Sequence, residues 1–313
     1  MIPKIDSEIG ISVYTTEFSG CGGIIKKQND EFVVSEVITE KAHSRICSDS
    51  GYAVYKLKKN GIDTTHALGK IFKKHGLRLK ALGLKDASAV TEQFVFTTSK
   101  MKHDFEINEP RYSHKKIEVT HKPLSKKEMV GNHFQLKIDG ASDTARQFEE
   151  HDRILNYSGY QRFGVTRSIS HLIEKSLLTK NSTSPIQILL SYTSEYDKPE
   201  NTELRKMMSD KSKYHEALKI IPNGMDLEKT VLKEMIESDN PVRAIRALPL
   251  QIRRFFVHAY QSFIFNKTLS ASFENGEEVF SPQEDDVCYD KNGNLGKFEN
   301  DPYQRLSIPF VGH

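Results

Sequence analysis

An α+β fold is predicted by three features of this chain. Strand-like runs broken by one clear helix fill roughly the first 140 residues, helical periodicity dominates after them, and no apolar run approaches the roughly 20 residues of a membrane-spanning helix. The 313 residues, 37% hydrophobic and 28% charged, suffice for a sizeable core and suggest roughly two domains. A boundary near Asn156 assigns residues 1–155 to a sheet domain and 156–313 to a mainly helical one.

The elements follow in order. Glu31–Val37 and Tyr52–Leu57 are rich in β-branched and aromatic residues and read as strands. A helix starts near Asp63-Thr64, places Leu68, Ile71, Phe72 and His75 on one face, and stops at Gly76. Leu79–Leu82, Phe94–Thr97, Lys115–Thr120 and His133–Asp139 read as further strands. Helical periodicity then runs through Ser142–Leu155, Thr166–Leu178, Asp226–Ser238 and Leu250–Phe273. The last carries a broad apolar face of Ile252, Phe255, Phe256, Ala259, Tyr260, Phe263 and Ile264. Asn181–Pro185 and Tyr196–Asn201 are polar connections.

Composition narrows the class. The start Met1-Ile2-Pro3-Lys4-Ile5-Asp6 has no apolar signal core, and Cys21, Cys47 and Cys288 lie far apart without CxxC spacing. A reducing, cytoplasmic location without membrane or metal is therefore expected, and a monomer is assumed. Net charge is only +3, but Gly51–Lys127 holds 17 Lys/Arg against 7 Asp/Glu, whereas Glu274–Asp301 holds 9 acidic against 2 basic residues. Such asymmetry fits a polyanionic partner for the first part, and equally an ordinary lysine-rich surface.

Four stretches carry potential chemistry. Asp86 lies in Gly83-Leu84-Lys85-Asp86-Ala87-Ser88-Ala89-Val90-Thr91-Glu92-Gln93, a small-residue loop between two strand-like runs. A strand-flanked loop holds a reactive group firmly yet open to a ligand, although a turn aspartate alone usually serves local hydrogen bonding. Asn156-Tyr157-Ser158-Gly159-Tyr160-Gln161-Arg162-Phe163-Gly164 interleaves rings, amides and an arginine, which suits bases and phosphates or else a packed junction. In Gly131-Asn132-His133-Phe134, Asn132 and Phe134 enter a strand, with Phe134 either core or ligand contact. Lys26 precedes Phe32-Val33-Val34-Ser35-Glu36, alone no more than a surface lysine before a strand.

Together and in this order, these stretches resemble the TruD family of RNA pseudouridine synthases. Gly83–Gln93 matches the pattern G-x-K-D-x-x-A-x-T-x-Q at every fixed position. Asn156–Gly164 is similar to N-Y-F-G-x-Q-R-F-G with Ser158 replacing Phe, and Gly131–Phe134 to G-N-x-F. Lys26–Glu36 resembles K-x-x-P-E-D-F-x-V-x-E, with Asn29, Asp30 and Glu31 substituted, and Ala259–Asn266 resembles A-x-Q-S-x-x-F-N. The resemblance implies a pseudouridine-synthase-type mixed or antiparallel sheet domain with a helical insertion, needing no cofactor or metal. It implies action on tRNA, at uridine 13 in the D-stem region, with other RNAs left open. Asp86 would be the catalytic carboxylate, Lys26 would keep it charged, Phe134 would stack on the uracil, and Asn132 would bond near the loop. Lys85, Tyr157, Gln161, Arg162 and Phe163 are the expected RNA contacts.

One departure bears on activity. Ser307–His313 resembles the L-P-L-P-G stretch after which family members return to the catalytic domain with closing strands, and no such strands follow here. The competing expectation is thus an RNA-binding or chaperone relative that has lost turnover. A protein–protein adaptor without salt-dependent RNA affinity is a third.

Overall fold

The computed structural model describes residues 2–47, 50–100, 106–179, 184–222, 224–291 and 293–308. Of the stretch Ser307–His313, residues 309–313 lie outside these; so do residues 181–183 of the polar connection before Pro185. The chain opens with a short helix, α1 (Lys4–Glu8). Strands β1 (Ile24–Ile25) and β2 (Phe32–Ile38), helix α2 (Glu40–Ser44), strand β3 (Tyr52–Asn60) and helix α3 (Thr64–His75) follow. Then come β4 (Leu79–Ala81), β5 (Val90–Thr97), β6 (Ile107–Glu109), β7 (Tyr112–Thr120), β8 (Met129–Leu136) and β9 (Ile138–Asp139).

Seven of these strands form one sheet in the order β6-β7-β3-β5-β2-β8, with β4 also paired to β5. Only β2 and β5 run parallel, over Val33–Ser35 against Val90–Glu92. Helix α3 forms where expected because Asp63 caps it, accepting the His66 N–H at 3.0 Å, and Gly76 ends it at φ 70°. Its Ala67 and Ile71 pack on Tyr55, Leu57 and Val95 of the sheet. Phe72, expected on that face, is exposed instead, with the Arg78 guanidinium 4.8 Å from its ring centroid. The opposite sheet face buries Val54, Phe94 and Phe96 under Ala42 of α2 and the following Ile46.

Two compact units divide the chain, one of residues 18–150 and one joining residues 1–17 to 151–313. The first seventeen residues thus group with the helical part, whereas the sequence placed all of 1–155 in the sheet domain. The helix expected over Ser142–Leu155 is only a 3-10 segment, Asp143–Glu150, because none of its described side chains is buried and no apolar stripe supports an α-helix there.

The second unit contains α4 (Ser170–Thr179), α5 (Pro185–Ser191), α6 (Pro199–Met207), α7 (Tyr214–Ile220), α8 (Asp226–Ser238), α9 (Pro241–Ala247) and the long α10 (Leu250–Glu274). Ile173, Leu189, Leu190, Val231, Leu232 and Phe256 centre its core. A buried charge network crosses that core, in which Glu228 accepts from Arg167 at 2.8 Å and Arg205 at 3.1 Å. The acidic segment folds into a small sheet of β10 (Val287–Tyr289), β11 (Leu295–Lys297) and β12 (Arg305–Leu306). Among the described residues, no helix is long and apolar enough to cross a membrane.

Candidate active site

The loop carrying Asp86 lies where β2 and β5 part. Their parallel pairing ends after three residues, and the Glu36 side chain takes over the gap. Its Oε2 accepts the Phe94 N–H at 3.0 Å, serving a backbone donor beyond the end of that ladder. Its Oε1 accepts from Lys85 Nζ at 2.8 Å, with both side chains almost fully buried. A buried carboxylate is tolerated only with such pairing, and breaking one side of a pair of this kind costs about 3–5 kcal/mol. Gly83 passes directly over the pair: a Cβ there would stand 3.0 Å from Lys85 Nζ and 3.4 Å from Glu36 Oε1. The residue must be small for the loop to close at this height.

Two further sets of bonds fix the loop. The Thr64 hydroxyl, at the start of α3, accepts the Lys85 N–H at 2.9 Å and donates to Gln93 Oε1 at 2.8 Å. Gln93 Nε2 in turn donates to the Gly83 carbonyl at 2.9 Å. From beneath, Lys59 Nζ donates to the Ile62 carbonyl at 2.9 Å and to the Asp86 carbonyl at 2.7 Å. Burial lowers the Lys59 ammonium to about 8 against the pull of Asp63 and Asp86, with Lys85 pushing the same way as burial. The Asp86 side chain is exposed, and among the described residues its carboxylate has neither a hydrogen-bond nor an ion-pair partner.

Around Phe32, the structure gathers two of the expected site residues. Lys26 sits in the left-handed region at φ 59°, with its Nζ 4.0 Å from the Phe32 ring centroid. Phe134 stacks on the same Phe32 ring, at 6.0 Å and 12°, and remains 53% exposed. Asn132 stands opposite Glu36 in the β2–β8 register, and its Oδ1 is buried without a hydrogen-bond partner among the described residues. Lys26 and Asp86 form no ion pair in this arrangement, in contrast to the expected direct support of the carboxylate; the Lys26 ammonium is on the ring face instead.

Three expected RNA contacts are placed elsewhere. Lys85 is buried, with its ammonium paired to the Glu36 carboxylate, so its charge is not offered to solvent. Phe163 is fully buried with Ile9, Ile11 and Ala259, so it is core. Tyr157 is half-buried, its hydroxyl shared between the Val13 carbonyl and Ser270 Oγ, both at 3.0 Å. Gln161 and Arg162 are exposed on an open cleft of about 650 Å³ that Tyr160, Val165 and Phe255 also line. That loop is held by Asn266 of α10, which accepts the Ser158 N–H at 2.9 Å and donates to the carbonyls of Ile9 (2.9 Å) and Ser158 (3.1 Å). The hydroxyls of Tyr14 and Tyr160 both donate to the buried Asp6 carboxylate, and burial together with this bond pushes Tyr14 up to about 12.

Lys59, Thr64 and the pairing role of Glu36 escaped sequence reasoning. A signal for Lys59 exists: with a period of two it shares the face of Tyr55 and Leu57, where an inward residue has no solvent to serve. Among the described residues, no group of three or more His, Cys, Asp or Glu side chains could hold a metal ion.

The family model described as "tRNA pseudouridine synthase D (TruD)" matches residues 8–305. A protein of Thermococcus sibiricus named "Probable tRNA pseudouridine synthase D" is 30% identical over 90% of this chain and 69% of its own length. Its namesake in Pyrobaculum neutrophilum is 27% identical over 99% of this chain and 77% of its own. A crystal structure of a TruD protein from Methanosarcina mazei superposes with a TM-score of 0.76 at 23% identity, covering 94% of this chain and 71% of that one, which shows the shared fold. With a family match over nearly its whole length, the chain belongs to the tRNA pseudouridine synthase D (TruD) family.

Proposed function

We propose that this chain isomerises uridine to pseudouridine in tRNA, with uridine 13 as the expected position and Asp86 as the catalytic carboxylate. The observation that carries the assignment is an exposed, unpartnered carboxylate on a loop whose backbone is fixed from three sides by buried bonds. In the reaction the N1–C1′ bond breaks, the uracil turns, and C5 bonds to C1′; the C5 proton leaves and N1 gains one. An ionised carboxylate serves either by attack or by taking a proton at the ribose–base junction, and an unpaired one is available for both. The target base must leave its stack, and Phe134 presents a ring face for it. Lys26 is held by a cation–π contact of about 0.5–1 kcal/mol at an exposed site, little enough to exchange for Asp86 or a phosphate when substrate encloses the pocket. Surface lysines of the 51–127 segment meet the backbone phosphates, with Lys59 and Lys85 withdrawn from that role by burial.

The test is tritium release from tRNA labelled at C5 of uridine. Asp86→Ala abolishes release while tRNA affinity stays within about twofold, because a lost acceptor on an exposed loop removes no phosphate contact. Pseudouridine formation by the purified variant would show that another group performs the chemistry.

A further inference from the structure

Lys59 is 1% exposed, yet among the described residues no carboxylate forms an ion pair with it. A buried ammonium without a counter-ion is expensive, and an apolar residue would suit this sheet face, where Tyr55 and Leu57 are its neighbours in register. The charge is instead bonded to two backbone carbonyls, one of which belongs to Asp86. The charged groups facing it are Asp63 at the start of α3 and Asp86 and Lys85 on the loop. Its register neighbours are Thr91 on β5, whose buried Oγ1 has no hydrogen-bond partner among the described residues, and Tyr112 on β7, and neither is a carboxylate.

We propose that Lys59 is the positioning residue of Asp86. It fixes the loop backbone through the Asp86 carbonyl and supplies the positive charge beneath the carboxylate, a role that Lys26 does not fill in this arrangement. The inference rests on Asp86 being the catalytic carboxylate. Its logic is geometric: a displacement of about 1 Å at a reacting group costs on the order of 10²-fold in rate.

Single-turnover isomerisation of tRNA, followed from pH 6.5 to 9 with enzyme in excess, tests it. Lys59→Met slows the chemical step about 10²-fold with unchanged tRNA affinity. The wild-type rate declines as pH rises past about 8 and the ammonium is lost, and Lys59→Met lacks that decline. A folded Lys59→Met with the wild-type rate and the wild-type pH profile overturns the proposal. If melting shows that Lys59→Met does not fold, the wild-type profile decides, and a rate that stays flat across pH 8 overturns it. Asp86→Asn separates the two assignments. Turnover by Asp86→Asn refutes the carboxylate reading itself, whereas an inert Asp86→Asn beside a fully active Lys59→Met refutes only the role of Lys59.

Discussion

Two phenylalanines from the recognised motifs show how one residue type divides between chemistry and packing. Phe134 keeps 53% of its surface in solvent, whereas Phe163 keeps none. Phe134→Ala therefore costs less than about 1 kcal/mol of stability, since little is buried to lose, but removes the stacking surface. A drop in turnover of about 10-fold or more with an unchanged urea midpoint is the expected pair of readings, on a stacking worth of about 1–3 kcal/mol per base. Phe163→Ala leaves a cavity among Ile9, Ile11 and Ala259 and costs about 3–5 kcal/mol, read as a lowered urea midpoint. Glu36→Gln is a third case. It leaves Lys85 buried and uncompensated, and an unfolding free energy lowered by about 3–5 kcal/mol is expected, with a like-sized effect for Lys85→Met. Asp86, Lys26, Asn132 and Phe134 could be singled out because each occupies a fixed place in a short pattern. Lys59 and the Glu36–Lys85 pair were not, because their partners are 27 and 49 residues away and no local pattern records a bond across a sheet.

At the scale of elements, legibility followed length and caps. Helices α3, α8 and α10 were readable: periodicity ran for 12, 13 and 25 residues, and α3 has both its aspartate cap and its terminal glycine. Helices α5, α6, α7 and α9 have only seven to nine residues, too few for a periodic signal. Helix α5 reads as a nearly unbroken apolar run, Ile186, Ile188, Leu189 and Leu190 all being buried, so tertiary packing rather than amphipathicity holds it. In α10 the inward face includes Ser262, Asn266 and Ser270 as well as Phe256 and Ala259. Of the polar members, Asn266 and Ser270 bind the loop between residues 156 and 164, which the apolar pattern alone could not reveal. Asn266→Ala removes the side-chain partner of three backbone groups at once, the Ser158 N–H and the Ser158 and Ile9 carbonyls, and a loss of about 3 kcal/mol or more is expected. Hydrogen exchange of the Ser158 amide is the direct check, rising in the variant.

For the whole molecule, two buried imidazoles make stability depend on acid. His114 and His171 are each 1% exposed, and burial lowers both to about 4, reinforced by His75 beside His114 and Lys175 beside His171. The unfolded chain takes up protons as pH falls below 6.5, while the folded one does not until about 4. Stability is therefore fully present above 6.5 and drains away toward 4, by up to about 3 kcal/mol per ring. A urea midpoint unchanged between pH 7 and 4.5 would contradict the burial of neutral rings. Lys59 acts in a separate window: its folded value near 8 lies below the ordinary 10.5, so its contribution improves as pH climbs from 8 to 10.5.

The grouping of residues 1–17 with 151–313 also imposes an order of events during synthesis. Asn266 reaches the Ile9 carbonyl across 257 positions of chain, whereas the sheet unit of 18–150 is continuous and contains all of its own strand partners. At translation rates of about 5–20 residues per second, the amino-terminal segment waits roughly ten to fifty seconds for α10 to appear. The Asp86 loop is thus assembled early, on a nascent chain whose first helix is still searching for its partner. Ribosome-bound intermediates stalled beyond residue 150 should already protect Lys59 and the strands around it from proteolysis, while the first seventeen residues remain cleavable.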